Sequence, residues 1–235
     1  MAKRIILALL VLTLAAGGAF AQLSAGIGGT FTADFGSIAW TKDGLDAVGD
    51  NKDIYDQNII GGGFFAYFDA TYVMLSLGLN FYDISPANKD AKKAQDDAKY
   101  SVSLTEFNIG VYGKYPIDLG GLTLFPIVGA DIKLALAQDT TVDGKKQDQQ
   151  DPFYTNSDGD KLDVTGALSS VWFKAGVGFD IPLSDSIYLR PMFLYGIGLL
   201  DKTQTDFQKM LDEGTKMGSI INHGLDIKLA LGFKF

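Results

Sequence analysis

Hydrophobic and polar residues alternate along the end of the chain. From Leu225 to Phe235 the odd positions are Leu, Ile, Leu, Leu, Phe and Phe, whereas the even positions are charged or small. A period of two residues is typical of a β-strand with one apolar and one polar face. Similar segments recur along the chain and predict eight strands, at 23–39, 58–69, 71–82, 102–117, 122–136, 167–181, 186–199 and 222–235.

The connections between these strands alternate between short and long. Three tight turns, rich in Asp, Gly and Pro as hairpin turns are, lie at 69–70, 118–121 and 182–185. Four long connections lie at 40–57, 83–101, 137–166 and 200–221, and residues 87–99 are a candidate short helix. An even strand number with long connections on one side is typical of bacterial transmembrane barrels. The sequence therefore predicts an all-β, eight-stranded, antiparallel up-and-down transmembrane β-barrel.

The first residues predict export. Lys3 and Arg4 precede an apolar stretch at 5–16, and Ala19 and Ala21 supply the small residues of a cleavage site. This pattern is typical of a secretory signal peptide. We expect a signal peptide at 1–21 and a barrel at 22–235. The chain has no cysteine, which excludes disulfides and a lipid-modified cysteine.

The charge of the chain is acidic and uneven. Without Lys3 and Arg4 the formal net charge changes from −8 to −10, and the four long connections carry −8 of it. The absence of a basic cluster argues against nucleic acid as a partner. If the long connections lie outside the cell, as in transmembrane barrels, both termini are periplasmic and the chain belongs to the cell outer membrane, with its lipids as partners.

Side-chain size indicates which strand face meets lipid. The bulky apolar faces suit lipid, because an eight-stranded barrel has an interior that side chains nearly fill. The opposite faces combine glycine with charge and predict a lumen network that serves either as a gate or ion path or as a plug. Its members are five acids and five bases: Asp34, Glu106, Lys114, Asp131, Lys133, Lys174, Asp180, Arg190, Asp226 and Lys228.

Further side chains are candidates for the interior and for aromatic belts. An apolar pocket open to the outer side is expected from four residues, or these simply fill the lumen: Met74, Trp172, Met192 and Leu194. Aromatic residues near the turns, among them Tyr67 and Tyr188, are expected on the outer surface, where such belts lie at the lipid–water interface. Gly61 to Gly63 should permit a sharp bend, and Pro126 and Pro191 should mark bulges or ladder interruptions.

The C-terminal residues resemble those of a known family. The ending at 228–235 is similar to the targeting signal of small outer-membrane barrels of the OmpA transmembrane-domain, OmpX and OmpW type, with Ala230 where glycine is usual. The resemblance implies that the barrel-assembly machinery reads Phe233 and Phe235. It covers the mature chain in architecture and rests on no family-specific motif.

Two functions stay open. The first is a narrow channel for small, apolar solutes, and the second is a structural or adhesive barrel that displays acidic loops without transport. No enzyme is predicted, because His223 is the only histidine and no motif surrounds it. No cofactor or metal is predicted either, because the calcium-loop-like segment at 156–160 lacks the glycine and glutamate of an EF-hand.

Overall fold

The computed structural model describes residues 23–40, 56–146, 169–201 and 217–235. The predicted signal peptide at 1–21 and the segment at 156–160 lie outside these ranges, as do most of the connections at 40–57, 137–166 and 200–221. Within the described ranges, no helix is long and apolar enough to cross a membrane.

Eight long strands, two short strands and one helix make up the described structure. The helix α1 (Lys89–Asp97) begins after Asn88, whose side chain accepts from the backbone N–H of Asp90 at 2.9 Å. The strands are β1 (Leu23–Trp40), β2 (Gln57–Ala70), β3 (Val73–Pro86), β4 (Tyr100–Lys114), β5 (Ile117–Asp118), β6 (Thr123–Val142), β7 (Lys145–Lys146), β8 (Ser170–Pro182), β9 (Ile187–Asp201) and β10 (Met217–Lys234).

The long strands pair into a closed ring. Each pairs antiparallel with its neighbour in the order β4, β3, β2, β1, β10, β9, β8, β6, and pairing of β4 with β6 closes the ring. The short strands β5 and β7 add to β6. The predicted eight-stranded, antiparallel, up-and-down barrel is therefore confirmed.

The exterior of the barrel is apolar, whereas its interior combines charged and polar side chains with a cluster of aromatic and aliphatic ones. On β10, Asp226 and Lys228 are buried in the interior. The residues that alternate with them, Leu225, Ile227 and Leu229, are exposed on the exterior. A soluble barrel would bury the apolar face instead, so the polarity is that of a transmembrane barrel. Other exposed apolar residues on the exterior are Ile27, Phe31, Phe64, Leu77, Leu79, Phe81, Val111, Ile132, Phe173, Val177 and Phe193.

Glycine permits β2 to pack closely against β3. A Cβ on Gly63 would lie 2.7 Å from the Cα of Asn80, and one on Gly61 would lie 2.7 Å from the Cα of Tyr82. Neither contact is possible for a real side chain. The run at Gly61 to Gly63 thus allows the two strands to approach, whereas the sharp bend expected there stays a prediction.

The strands extend further than the sequence predicts at the end with the long connections. β3 continues to Pro86, β4 begins at Tyr100 and β6 continues to Val142, so the connections expected at 83–101 and 137–166 are partly strand. At the other end, β2 continues through the predicted turn at 69–70, and Thr71 and Tyr72 form the turn. Polar composition was misleading here, because strand hydrogen bonds form equally well beyond the apolar belt.

Pro191 interrupts the ladder between β8 and β9. Pairing stops after Gly178 and Met192 and resumes at Ile181 and Leu189. Proline has no N–H to donate to a ladder. Pro126, by contrast, lies in continuous register with β8, and the three register shifts of the long strands occur elsewhere.

Candidate functional site

The charged interior is the candidate site, and it divides into two clusters. The structure places all ten predicted network residues on the inner face. The turn-end cluster consists of Asp69, Lys114, Asp180 and Arg190, and the central cluster consists of Asp34, Glu106, Asp131, Lys133, Lys174, Asp226 and Lys228. Apolar side chains lie between them along the strands, including Ile127, Met192 and Leu194.

Arg190 is the hub of the turn-end cluster. Its Nε and Nη2 atoms donate to the two carboxylate oxygens of Asp180 at 2.6 and 2.7 Å, a bidentate pair across the interruption at Pro191. Its Nη1 donates to Asp69 Oδ2 at 2.5 Å, and Lys114 Nζ binds the same oxygen at 2.8 Å. Aromatic rings surround the guanidinium carbon at 4.6 to 5.0 Å: Tyr67, Phe125 and Tyr188.

Asp69 is a network residue that sequence reasoning missed. It was assigned to a turn, because Asp is a common turn residue. In the structure β2 continues to Ala70, and Asp69 takes the inward position after Phe65 and Tyr67. No sequence signal marks this position, because residues 64–68 are apolar throughout and do not show which face of β2 is the inner one.

The predicted positions of Tyr67 and Tyr188 on the outer aromatic belt were wrong. Both are buried in the interior. The Tyr67 hydroxyl donates to Tyr188 Oη at 2.8 Å, and the Tyr188 hydroxyl donates to Ser24 Oγ at 2.8 Å. Every second residue of β2 faces the interior, so Tyr67 and Asp69 lie on the same inner face. The two phenols thereby link three strands at the turn end.

Lys174 is the hub of the central cluster. Its Nζ lies 2.7 Å from Asp131 Oδ2 and also donates to Asp226. The hydroxyl of Thr32 donates to the same Asp226 at 2.9 Å. The Tyr112 hydroxyl donates to Asp131. Carboxylates of two strands are thus held by one ammonium and by hydroxyls of two further strands.

Lys133 forms the third ion pair of the central cluster. Its Nζ donates to Asp34, and it lies 4.0 Å from the centroid of the Trp172 ring. Lys228 Nζ lies 5.2 Å from the ring centroid of Phe65. Among the described residues, neither Lys228 nor Glu106 has an ion pair within 4.0 Å.

The lumen is closed at the level of the two clusters. Exposed fractions are 1% for Arg190, 2% for Lys174 and 5% for Glu106. A water-filled channel beside these side chains would leave accessible surface on them. The interior of this conformation is therefore filled by side chains, as the size of an eight-stranded barrel allows.

The four residues predicted to form an apolar pocket are all buried inside. Met74, Met192 and Leu194 belong to one apolar cluster that fills the barrel. Trp172 lies outside that cluster, beside Lys133. The side chains are packed, with exposed fractions of 4% or less. No opening toward the outer side is formed at Met74, Met192 or Leu194 in this conformation.

Cavities occur at the two mouths of the barrel. At the turn end, a cavity of about 430 Å³ is lined by Asp118, Asp180, Pro182, Tyr188 and Lys234, among others. At the opposite end, one of about 300 Å³ is lined by Gln57, Ser85, Gln95, Tyr100 and Gln138, among others. The filled interior separates the two.

His223 lies on the exterior. Its ring centroid is 5.5 Å from that of Phe35 and 6.0 Å from that of Tyr195. Asp226, three positions along β10, faces the interior, so the strand separates the two side chains. Among the described residues, no group of three or more His, Cys, Asp or Glu is arranged to hold a metal ion.

The aromatic residues of the C-terminal segment lie at the turn end. Phe233 and Phe235 are both exposed on the exterior. The backbone N–H of Phe235 donates to Leu23 O at 3.0 Å, and that of Lys234 donates to Ser186 O at 2.9 Å. The described ends of the chain thus lie beside the tight turn that joins β8 and β9.

Comparison with known proteins gives similarity in fold only. No protein family and no curated protein matches the sequence. Among solved structures, Neisserial surface protein A is 9% identical, with 91% of this chain and 97% of that chain covered and a TM-score of 0.44. A major outer membrane protein of Thermus thermophilus is 12% identical, with 88% of this chain and 99% of that chain covered and a TM-score of 0.43. The Ail protein of Yersinia pestis is 10% identical, with 91% of this chain and 99% of that chain covered and a TM-score of 0.39.

At such identities and TM-scores, these similarities add nothing to what the chain's own geometry shows. The closed ring of eight antiparallel strands, its apolar exterior and the charged clusters in its interior carry the assignment. The resemblance to small eight-stranded outer-membrane barrels therefore holds at the level of the fold: the chain is an eight-stranded β-barrel of the transmembrane kind.

Proposed function

We propose that the chain is an integral outer-membrane barrel that displays its outer end and does not conduct solutes in its resting state. The single observation that carries this proposal is the packed interior, in which Arg190 and Lys174 are almost inaccessible to water. A role in transport requires a path, and none exists through these two clusters in this conformation.

The exterior supports the membrane part of the proposal. A transmembrane β-strand needs about 9–11 residues, and the long strands have 13 to 20. Apolar residues cover the outer face, and ring closure leaves no strand edge exposed to lipid. The strands are therefore long enough to extend beyond the bilayer. The helix α1 lies between β3 and β4 at the end opposite the tight turns.

The interior supports a structural role for the charges. A buried charge costs several kcal/mol when it is unpaired. Asp69, Asp180, Lys114 and Arg190 pair with one another. Such pairs join β2, β4, β8 and β9 across the lumen and hold the barrel closed.

Orientation follows from the connections. The tight turns lie at one end and the acidic long connections at the other, which we assign to the periplasm and the cell exterior respectively. In this orientation both termini are periplasmic. Phe233 and Phe235 then serve as the segment that the assembly machinery reads, in line with the resemblance of the ending.

Cysteine labelling tests the orientation. The chain has no cysteine, so a single one reports a single site. In intact cells, a membrane-impermeant maleimide should label Lys92→Cys on α1, and Tyr72→Cys in a tight turn should react only after lysis. Labelling of Tyr72→Cys in intact cells would reverse the orientation.

Planar-bilayer conductance tests the closed lumen. Wild-type protein should give no single-channel currents above the background of protein-free bilayers, and liposomes that contain it should not swell in small solutes. The double variant Asp180→Ala, Arg190→Ala should also fail to conduct, because the central cluster and the apolar side chains beside it still fill the lumen. Steady wild-type currents would contradict the proposal.

A narrow channel for small solutes is the second candidate. The observation that favours it is the pair of cavities, of about 430 and 300 Å³, one at each mouth of the barrel. Swelling of wild-type liposomes in apolar solutes, but not in sugars, would favour this candidate.

A further inference from the structure

A row of oxygen atoms crosses the inner wall of the first four strands. Thr30 on β1 pairs with Gly63 on β2, Gly63 pairs with Asn80 on β3, and Asn80 pairs with Glu106 on β4. Asn108 follows Glu106 by two positions on the same face. We call the four side chains Thr30, Asn80, Glu106 and Asn108 the oxygen row.

Each member of the oxygen row has a buried oxygen without a hydrogen-bond partner among the described residues. These atoms are Thr30 Oγ1, Asn80 Oδ1, Glu106 Oε2 and Asn108 Oδ1. Exposed fractions are 9% for Thr30 and 3% for Asn80. A buried polar atom without a partner costs about 1–3 kcal/mol, and such atoms are normally rare. Six such atoms occur among the described residues; four belong to this row, and a fifth, Tyr82 Oη, lies two positions from Asn80 on the same face of β3. This concentration indicates a binding partner.

Glycine makes room in the row for the side-chain amide of Asn80. Gly63 has no side chain between Thr30 and Asn80, and Asn80 Oδ1 lies 2.5 Å from where a Cβ on Gly63 would be. Gly78 likewise stands opposite Asn108. No side chain of β2 or β3 therefore lies between the oxygens at these two positions.

The charge around the row is unbalanced. The turn-end cluster has two acids and two bases, but the central cluster has four acids and three bases. The acid without an ion pair within 4.0 Å is Glu106. Lys133, which pairs in register with Asn108, is engaged by Asp34. Lys228, in register with Thr30, also has no ion pair within 4.0 Å among the described residues, but with its ammonium included the central cluster still sums to −1, and the oxygen row holds the unpaired carboxylate.

We propose that the oxygen row binds a small monovalent cation such as Na⁺. Hard cations prefer carboxylate, amide-carbonyl and hydroxyl oxygens. A proton on Glu106 would neutralise the charge but would provide a donor for one acceptor, whereas a cation contacts several oxygens at once. The single carboxylate and the single missing charge favour a monovalent ion over a divalent one.

Thermal unfolding in detergent micelles tests the site. At constant ionic strength and pH, wild-type protein should have a higher Tm in NaCl than in choline chloride, because a ligand of the folded state stabilises it. Glu106→Gln, which keeps the shape and removes the charge, should lose this difference. Asp180→Asn is the matched control: the same kind of change in the turn-end cluster should keep the difference.

A direct measurement covers the case in which a variant fails to fold. ²³Na NMR of the folded wild-type protein should show line broadening that excess LiCl, but not choline chloride, reverses. Equal wild-type Tm values in NaCl and choline chloride would overturn the proposal, as would absence of ²³Na broadening. So would a Tm that depends on pH alone and loses this dependence in Glu106→Gln, since the occupant would then be a proton.

Discussion

Asp69 on β2 and Arg190 on β9 meet across the barrel interior, with 2.5 Å between Oδ2 and Nη1, although 121 residues separate them along the chain. The same oxygen binds Lys114 on β4. One carboxylate therefore holds two cations from different parts of the wall, and its loss leaves both with fewer partners than they need.

Asp69→Asn should destabilise the barrel strongly. Removal of one partner from a buried ion pair costs about 3–5 kcal/mol, because the remaining charge stays buried. Urea-induced unfolding in lipid vesicles, followed by tryptophan fluorescence, measures the change. Asp139→Asn is the control, since Asp139 and its partner Lys146 are 43% and 68% exposed in their side chains. The control should lose less than about 1 kcal/mol, and equal losses would contradict a special role for Asp69.

Arg190→Lys should also be destabilising although it keeps the charge. Lysine cannot form the two parallel bonds to Asp180 while also reaching Asp69, because an ammonium lacks the planar fork. A loss of about 1.5–3 kcal/mol is expected from the hydrogen bonds to charged groups. The same urea titration measures it, and wild-type stability in this variant would show that only charge matters.

Gly63→Ala should impair folding. Its methyl group would lie 2.7 Å from the Cα of Asn80, and β3 cannot move away without breaking its pairing with β4. Gly29→Ala is the control, because the nearest atom to its Cβ would be 3.8 Å away. The folded fraction, measured by the mobility shift of unheated samples in SDS gels, should fall for Gly63→Ala only. A similar fall in both variants would point to a general effect of glycine loss.

Leu229→Arg should be costly in a bilayer. Leu229 is exposed on the exterior at the centre of the apolar row of β10 that runs from Leu225 to Phe233, so the charge would face lipid. Arginine at the midplane of a membrane barrel costs about 2–4 kcal/mol, and near the interface about 0–1. Ile221→Arg, close to the long-connection end of the same strand, should therefore be tolerated much better. Unfolding in lipid vesicles compares the two, and equal costs would contradict the proposed position of the bilayer.

The strand pattern made most of the fold predictable. Alternation at Leu225 to Phe235 fixes the strand and both of its faces, and the number of such segments fixes the barrel. The strand ends were less predictable, because β6 continues to Val142 through polar residues that carry no alternation. Hydrogen bonding of the backbone, which side-chain type does not report, decides where such a strand ends.

The interior was predictable residue by residue, but its partners were not. Sequence places Asp180 and Arg190 on inner faces, yet their bidentate pairing depends on the register of β8 against β9. Asp69 and Tyr67 were misassigned together, because an error of two residues in the turn hides the inward row to which both belong. The oxygen row likewise depends on a register that brings β1, β2, β3 and β4 into line.

The seam between β1 and β10 constrains how the protein folds. Thr32 and Asp226 face each other across it, 194 positions apart in sequence. Until the last strand arrives, two rows of N–H and C=O groups lack partners, and lipid cannot supply them. Contacts between such distant positions form slowly. Partly inserted species are therefore disfavoured, and closure of the ring is the step that gives the last strand edges their partners.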